Sequence, residues 1–425
     1  MARFIVEGGH PLRGEITAAG NKNSALPLIA ASLLTNEPVT LRNVPRIRDV
    51  RGMLDILCGL GAEVHEPDPH TVVIRAASVR KTDLDPKLSG EIRTSLLFAG
   101  PMLTRARRVS IGQPGGDVIG RRRTDTHWVA LRALGAELDV SRGGYRLEAR
   151  ELRGADIALD EASVTATENA LLCAVRAPGR TVIRNAASEP HVQELAMVLV
   201  QMGARINGIG TNTMEVRGVD ELRGAEHEIW SDHIEVGSFV ALAAMTHGDV
   251  TVHRCAPAHI QMTRAMFKRL GVDSDLDGDD LRVPAKDHYV IEDDIGGKIP
   301  SVKSELWPGF PSDLSSMATA VATQCEGTIL IHEKLYENRM FWVGALEQMG
   351  ARLVLCDPHR VVIVGPSQLY ATELRSPDIR AGLALLGATL SAKGTSVINN
   401  IEQIDRGYEA LDVRLQALGA KIARE

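Results

Sequence analysis

Six times along this chain an amphipathic segment ends in a Leu/Met-Gly-Ala/Val tripeptide, with its glycine at Gly61, Gly135, Gly203, Gly271, Gly350 and Gly419. The intervals run from 68 to 79 residues, so the chain reads as six copies of one unit. Each glycine suits the left-handed residue just past a helix end, and helices are expected over 53–60, 128–134, 195–202, 262–270, 342–349 and 411–418. Short alternating stretches follow most of them, such as 63–65 with 72–75 and 352–354 with 361–364, and read as strands. A second helix and strand fill each period: 26–34 then 39–41, 94–103 then 108–111, 166–175 then 181–184, 236–245 then 249–253, 314–323 then 328–332, and 379–390 then 395–399. The expected fold is therefore α/β and sixfold duplicated. An open solenoid competes with it, but the segments 238–245 and 382–388 are almost wholly apolar and call for burial on all sides. Three units closing into each of two globules meet that need.

Length alone suggests about two or three domains. A net charge of −6, from 48 basic and 54 acidic residues, argues against a general polyanion binder, so no nucleic-acid partner is expected and local arginine clusters must serve a small anion. The longest apolar run, 25–34, is broken by Pro27 and falls well short of the ~20 residues of a membrane span. The start, Met-Ala-Arg-Phe-Ile-Val, shows no signal-peptide core. Five cysteines, Cys58, Cys173, Cys255, Cys325 and Cys356, lie far apart and mostly in apolar runs. They read as reduced core thiols, and the expected compartment is the cytoplasm.

The segment 114–127 concentrates chemistry: three glycines, then Arg121, Arg122 and Arg123 beside Asp117, Asp125 and His127. It reads either as an exposed, solvated loop or as a movable segment carrying a proton donor and an anion clamp. It lacks Gly-Lys-Ser/Thr and so is no Walker loop. Lys22 follows a Gly-Asn turn ahead of a helix, where its ammonium and the helix-start amides could hold an anion together. Asp313, after Phe-Pro-Ser and before an apolar run, reads locally as a helix cap. Arg406, in Asp405-Arg406-Gly407, has a surface ion pair as its local reading. His127, His191 and His233 lack metal-ligand spacing and read as packing histidines.

Several motifs are more specific: 20–27 (Gly-Asn-Lys-Asn-Ser-Ala-Leu-Pro), Arg93-Thr94-Ser95, the loop 115–127, Ser163-Val164 and 231–235 (Ser-Asp-His-Ile-Glu). The second half adds 310–313 (Phe-Pro-Ser-Asp), Glu337-Asn338-Arg339, 376–380 (Ser-Pro-Asp-Ile-Arg) and 404–409 (Ile-Asp-Arg-Gly-Tyr-Glu). On these the chain resembles the enolpyruvyl transferase superfamily from residue 4 to residue 420, and within it the branch acting on UDP-N-acetylglucosamine. The branch acting on shikimate 3-phosphate lacks the loop and is the weaker match.

The resemblance implies a two-domain inside-out α/β barrel, with a globule of residues 20–231 that carries a lid loop 112–127 and a second of residues 1–19 plus 232–425. The active site would lie in the cleft between them. It also implies transfer of the enolpyruvyl group of phosphoenolpyruvate to the sugar 3-hydroxyl through a tetrahedral ketal, the first committed step of peptidoglycan synthesis. No cofactor, metal or membrane partner is implied, and the expected state is a monomer or weak homo-oligomer. Lys22, Asp117 and Asp313 would be catalytic. Phosphoenolpyruvate would meet Lys22, Asn23, Arg122, Arg380 and Arg406. The sugar nucleotide would meet Asn23, Arg93, Arg122, Arg123, Thr124, Asp125, Thr126, Ser163, Val164, Asp313 and Leu335, while Arg339 and Asp378 would line the same cleft.

The chain departs from the family at four places. Arg123 replaces a proline, Glu161 stands where some members carry lysine, and Trp307-Pro308 replaces a less bulky pair. Asp117 stands where most members carry the cysteine that fosfomycin alkylates and that protonates C3 of phosphoenolpyruvate. Asp117 must carry a proton to serve as that acid. A transferase for another nucleotide, as in secondary metabolism, and a silent sugar-nucleotide-binding paralogue are the alternatives. Joint retention of Lys22, Arg122, Asp313, Arg380 and Arg406 argues against the silent one.

Overall fold

All six punctuating glycines take positive φ, from 79° to 111°, and each follows an observed helix: Arg48–Leu60, Asp125–Ala133, Pro190–Gln201, Gln261–Arg269, Val343–Gln348 and Leu411–Ala417. At Gly61 the reason is visible. Its N–H donates to the carbonyl of Cys58 and the next N–H to Leu57, closing the helix, and a Cβ there would also crowd the backbone of Ser78 and Arg80. These positions come from a computed structural model that describes residues 2–117, 119–141 and 143–425.

The other helix of each repeat is buried. All of His233–Met245 and Ser315–Ala322 is inaccessible, as is Ile379–Ser391 up to Leu390. These three pack on one another, and elsewhere the run Arg93–Phe98 with Ala99–Ala106 packs against both Lys22–Ala31 and Val164–Ala174. The sequence placed these helices a little off. The first begins at Lys22 rather than 26 because the Asn21 side chain accepts from the N–H groups of Asn23 and Ser24. The second opens with a 3-10 segment, and Asp313 lies in the 3-10 turn Ser312–Leu314 ahead of the helix proper.

Two compact units result. One comprises Met1–Ala19, Asp117–Arg122 and Ser231–Glu425, the other Gly20–Gly116 and Arg123–Trp230. The loop 112–127, expected wholly within the second of these, is divided: Asp117–Arg122 belong to the first. There Ile119 accepts from the N–H of Asn338, the N–H of Arg121 donates to Glu337, and a Cβ on Gly120 would collide with Glu337.

Among the described residues each unit holds three sheets around its own helices and its own apolar core. In the first unit they are Glu373–Arg375, Thr395–Asn399, Arg3–Glu7 and Lys421–Arg424; Asp275–Asp277, Asp280–Val283, Asp249–His253 and Arg13–Thr17; and Ser301–Lys303, Gly327–His332, Arg360–Gly365 and Leu353–Asp357. Each has one parallel pair and two antiparallel ones. The same plan recurs in the second unit, where in one sheet the parallel partner shrinks to a bridge between Asp83 and Ser110. Arg3–Glu7 sits between strands from the other end of the chain, Phe4 facing both Ile398 and Arg424. Inner strands such as Arg3–Glu7, Thr213–Arg217, Asp249–His253 and Thr395–Asn399 alternate buried positions with more exposed ones, as expected of sheets covering helices on one face.

The cysteines differ from expectation in one respect. All five are free, but Cys58 and Cys356 are exposed, Cys58 on the outward side of its helix and Cys356 in a strand with no buried residue. Among the described residues no helix is long and apolar enough to cross a membrane.

Candidate active site

In the unit of residues 20–116 and 123–230, the start of the Lys22–Ala31 helix is the first feature. Lys22 is buried, and its Nζ lies 2.7 Å from the Asp49 carboxylate, itself in the first turn of Arg48–Leu60. The ammonium expected to join the helix-start amides is thus held by a buried counter-ion, which fixes where its remaining donors point. Asn23 is half-buried beside it.

A second cluster gathers the residues read from 93 and 123–126. The Arg93 guanidinium donates to the Arg123 carbonyl at 2.5 Å, and Arg123 forms ion pairs with Asp160 at 2.7 Å and Asp125 at 3.3 Å. Thr126 donates its hydroxyl to Asp160 at 2.8 Å, and Thr124 shares a hydrogen bond with Tyr145. The Thr126 and Arg123 bonds hold the Asp160 carboxyl below the usual range. Ser163 and Val164 follow directly, Ser163 as the cap of Val164–Ala174. His127 is wholly buried between Thr165 and Asn169, and burial, helped by Arg93, pushes it down to about 3, which leaves it neutral. It is a packing histidine.

The other unit carries the acid-bearing cluster. Asp313 does not cap a helix: its Oδ1 accepts from Arg339 Nη1 at 2.9 Å and its Oδ2 from Arg380 Nε at 3.0 Å. Both guanidiniums are buried, whereas the Asp313 side chain keeps 28% of its surface exposed, so the carboxylate is the part of this trio that a substrate can reach. Burial works to raise the Asp313 carboxyl, but Arg380 and Arg339 outweigh it and hold it far below the usual range. Arg380 is itself oriented by the Tyr408 hydroxyl at 2.7 Å, which also meets Ser238.

Asp378 caps Ile379–Ser391 by accepting from the N–H groups of Arg380 and Ala381, so the cap that fixes the helix also fixes Arg380. Burial raises its carboxyl, and nearby Asp117 adds to that. Asp117 is bound to Arg406 Nη1 at 2.6 Å, with both side chains largely buried. Arg406 is therefore no surface ion pair. Arg122 is half-buried in the same unit, and Leu335 follows Glu333, which accepts from the Leu335 N–H.

Sequence reasoning missed the residues that hold these groups: Asp49 under Lys22, Asp160 under Arg123 and Thr126, Tyr408 behind Arg380, and Glu333. It also missed Glu194, fully buried, which accepts from Ser24, His227 and the Trp230 N–H behind the first helix. Only Tyr408 carried a signal, since it lies inside one of the quoted motifs.

Known proteins resemble the whole chain. The family described as EPSP synthase (3-phosphoshikimate 1-carboxyvinyltransferase) matches residues 6–415. A protein of Bradyrhizobium diazoefficiens named UDP-N-acetylglucosamine 1-carboxyvinyltransferase is 54% identical over 424 residues, covering 99% of this chain and 98% of its own. One of the same name from Treponema pallidum is 47% identical over 425 residues, covering 100% of each chain. Among solved structures, the enolpyruvyl transferase NikO from Streptomyces tendae has a TM-score of 0.89 at 23% identity, covering 100% of this chain and 99% of its own. EPSP synthase from Acinetobacter baumannii has 0.77 at 16% identity, with full coverage of both. Two inside-out units, repeated motifs in order and end-to-end identity agree: the chain belongs to the EPSP synthase family of carboxyvinyl transferases.

Proposed function

We propose that this chain transfers the enolpyruvyl group of phosphoenolpyruvate to the 3-hydroxyl of UDP-N-acetylglucosamine and releases phosphate, the first committed step of peptidoglycan synthesis. The observation that carries this reading is the trio Asp313, Arg339 and Arg380: a reachable carboxylate between two buried, fixed cations. A protein that only bound a sugar nucleotide would have no use for it. Both substrates are phosphorylated metabolites and the thiols are free, which supports a cytoplasmic setting.

Lys22, Arg122 and Arg406 hold the phosphate of phosphoenolpyruvate, and Arg380 its carboxylate, where the planar fork can bind two oxygens. Asn23, Arg93, Arg123 to Thr126, Ser163, Val164 and Leu335 hold the sugar nucleotide. In the addition step the 3-hydroxyl oxygen attacks C2, its proton passes to Asp313, and C3 takes a proton from Asp117, which acquires that proton from solvent once Arg406, its ion-pair partner in the free protein, has turned to the phosphate. A tetrahedral ketal results. In the elimination step the methyl carbon returns a proton, the C2–O bond to phosphate breaks, and the double bond re-forms.

Clamped by two guanidiniums, Asp313 is a feeble base. Drawing Arg380 onto the phosphoenolpyruvate carboxylate removes one of those charges and strengthens it. The base is thus readied by the substrate it serves. The test is phosphate release and product mass on mixing the protein with phosphoenolpyruvate and UDP-N-acetylglucosamine, against a panel of other nucleotides. Release that requires UDP-N-acetylglucosamine is expected; release only with another nucleotide would replace the acceptor, and none with any would defeat the reaction.

A further inference from the structure

Asp313 lies in a three-residue turn, and no side chain caps the helix that follows it. The turn is gripped by Glu333, the residue just beyond strand Gly327–His332, whose side chain is fully buried. Its Oε2 accepts from the hydroxyls of Ser312 at 2.9 Å and Ser315 at 2.8 Å, which straddle Asp313. Its Oε1 accepts from the Leu335 N–H at 2.9 Å. The strand end is anchored in turn, since the Glu333 N–H donates to the His359 carbonyl.

We propose that Glu333 is a positioning residue, which locks the Asp313 turn and the Leu335 backbone into one register for the acceptor sugar. The proposal rests on the reaction assigned above. Among the described residues none of its hydrogen-bond donors is a cation, so two hydroxyls and one amide must offset much of the cost of burying this carboxylate. That cost is explained if two convergent hydroxyls and one amide must all be oriented at once, which a single acceptor group with two oxygens can do. Its charge also bears on Arg339, the cation that grips Asp313 from the other side.

The experiment compares Glu333→Ala, Glu333→Gln and the double variant Ser312→Ala/Ser315→Ala, with kcat, both KM values and the melting temperature of each. Misplacing a reacting group by about 1 Å costs on the order of 100-fold in rate. Glu333→Ala should therefore lose roughly that factor in kcat and raise KM for UDP-N-acetylglucosamine, with KM for phosphoenolpyruvate little changed. Glu333→Gln, which can still meet all three groups, should recover most of the loss. The serine pair, which leaves the strand and its anchor intact, should reproduce the kcat loss if Glu333→Ala does not fold. Unchanged kinetics in folded Glu333→Ala or in the serine pair would overturn the proposal, as would a glutamine variant no better than alanine. No turnover in the native protein would instead defeat the assigned reaction; native turnover with an unaffected Glu333→Ala defeats this proposal alone.

Discussion

Replacing Asp117 by asparagine should tighten anion binding while stopping turnover, two effects of opposite sign from one atom. In the native protein the Asp117 carboxylate accepts from Arg406 at 2.6 Å, with side chains only 17% and 11% exposed, so solvent screens the contact little. The amide still accepts from the charged guanidinium but carries no opposite charge, and losing that part of a hydrogen-bonded ion pair at a partly buried site loosens the grip on Arg406 by roughly 1–2 kcal/mol. Any phosphate that needs Arg406 must compete with that grip. Relieving it should strengthen the binding of inorganic phosphate by roughly 5- to 30-fold. Turnover should collapse, because an amide cannot deliver the proton that C3 requires. Calorimetric titration with inorganic phosphate, in the presence of UDP-N-acetylglucosamine, reads the first effect, and phosphate release from phosphoenolpyruvate reads the second. Arg406→Ala in the same background should erase the gain. Unchanged or weaker phosphate binding in Asp117→Asn would show that Arg406 is not the anion's partner, and near-native turnover would show that Asp117 is not the proton donor.

The native enzyme should survive preincubation with fosfomycin, since a carboxylate is a far poorer nucleophile than a thiolate toward an epoxide, and an active Asp117→Cys variant should be inactivated with adduct mass; time-dependent loss of the native enzyme would refute this. Asp313→Asn should lose about 100- to 10,000-fold in kcat while calorimetry shows sugar-nucleotide binding largely retained, and normal kcat would reduce Asp313 to a structural partner of its arginines. Burial pushes His127 and His233 from 6.5 down to about 3, with Arg93 and His259 respectively adding to the effect. Between those values the unfolded chain binds the protons that the folded one refuses, so stability is full above pH ~6.5 and declines as the pH falls, by up to roughly 1.4 kcal/mol per pH unit for each histidine. Urea midpoints at pH 7.5 and 5 should show the decline, and His127→Gln should flatten it; a pH-independent midpoint would contradict the burial.

Much of the fold was legible because glycine cannot easily be replaced where a helix must end left-handed, so the period survives in the chain as Gly61, Gly135 and their four successors. The buried helices were legible from their unbroken apolar runs. Asp313 shows where local reading stops. An aspartate before an apolar stretch has the pattern of a cap, yet Asp313 spends its oxygens on Arg339 and Arg380, which lie 26 and 67 residues away. Nothing local encodes that choice. Glu333 and Glu194 were hidden for a related reason: a single glutamate at a strand end or within a helix looks solvent-facing, and only the finished packing turns it inward. The division of 112–127 was likewise invisible, because it depends on Glu337 and Asn338 meeting the chain some two hundred residues later.

The strand Arg3–Glu7 has a consequence in time. It is the inner strand of a sheet whose neighbours, Thr395–Asn399 and Lys421–Arg424, are translated nearly four hundred residues after it. On the ribosome, every strand of the other unit is available once Trp230 has emerged, so that unit can fold while synthesis continues. Phe4 and Val6, with no exposed surface in the finished protein, have no sheet to enter until their partners at 395–399 and 421–424 have been made. Until then they form a sticky segment with an open hydrogen-bonding edge, the kind of segment that a holding chaperone shields. Slowing elongation downstream of residue 231 should therefore lengthen the vulnerable interval of one unit and leave the other untouched.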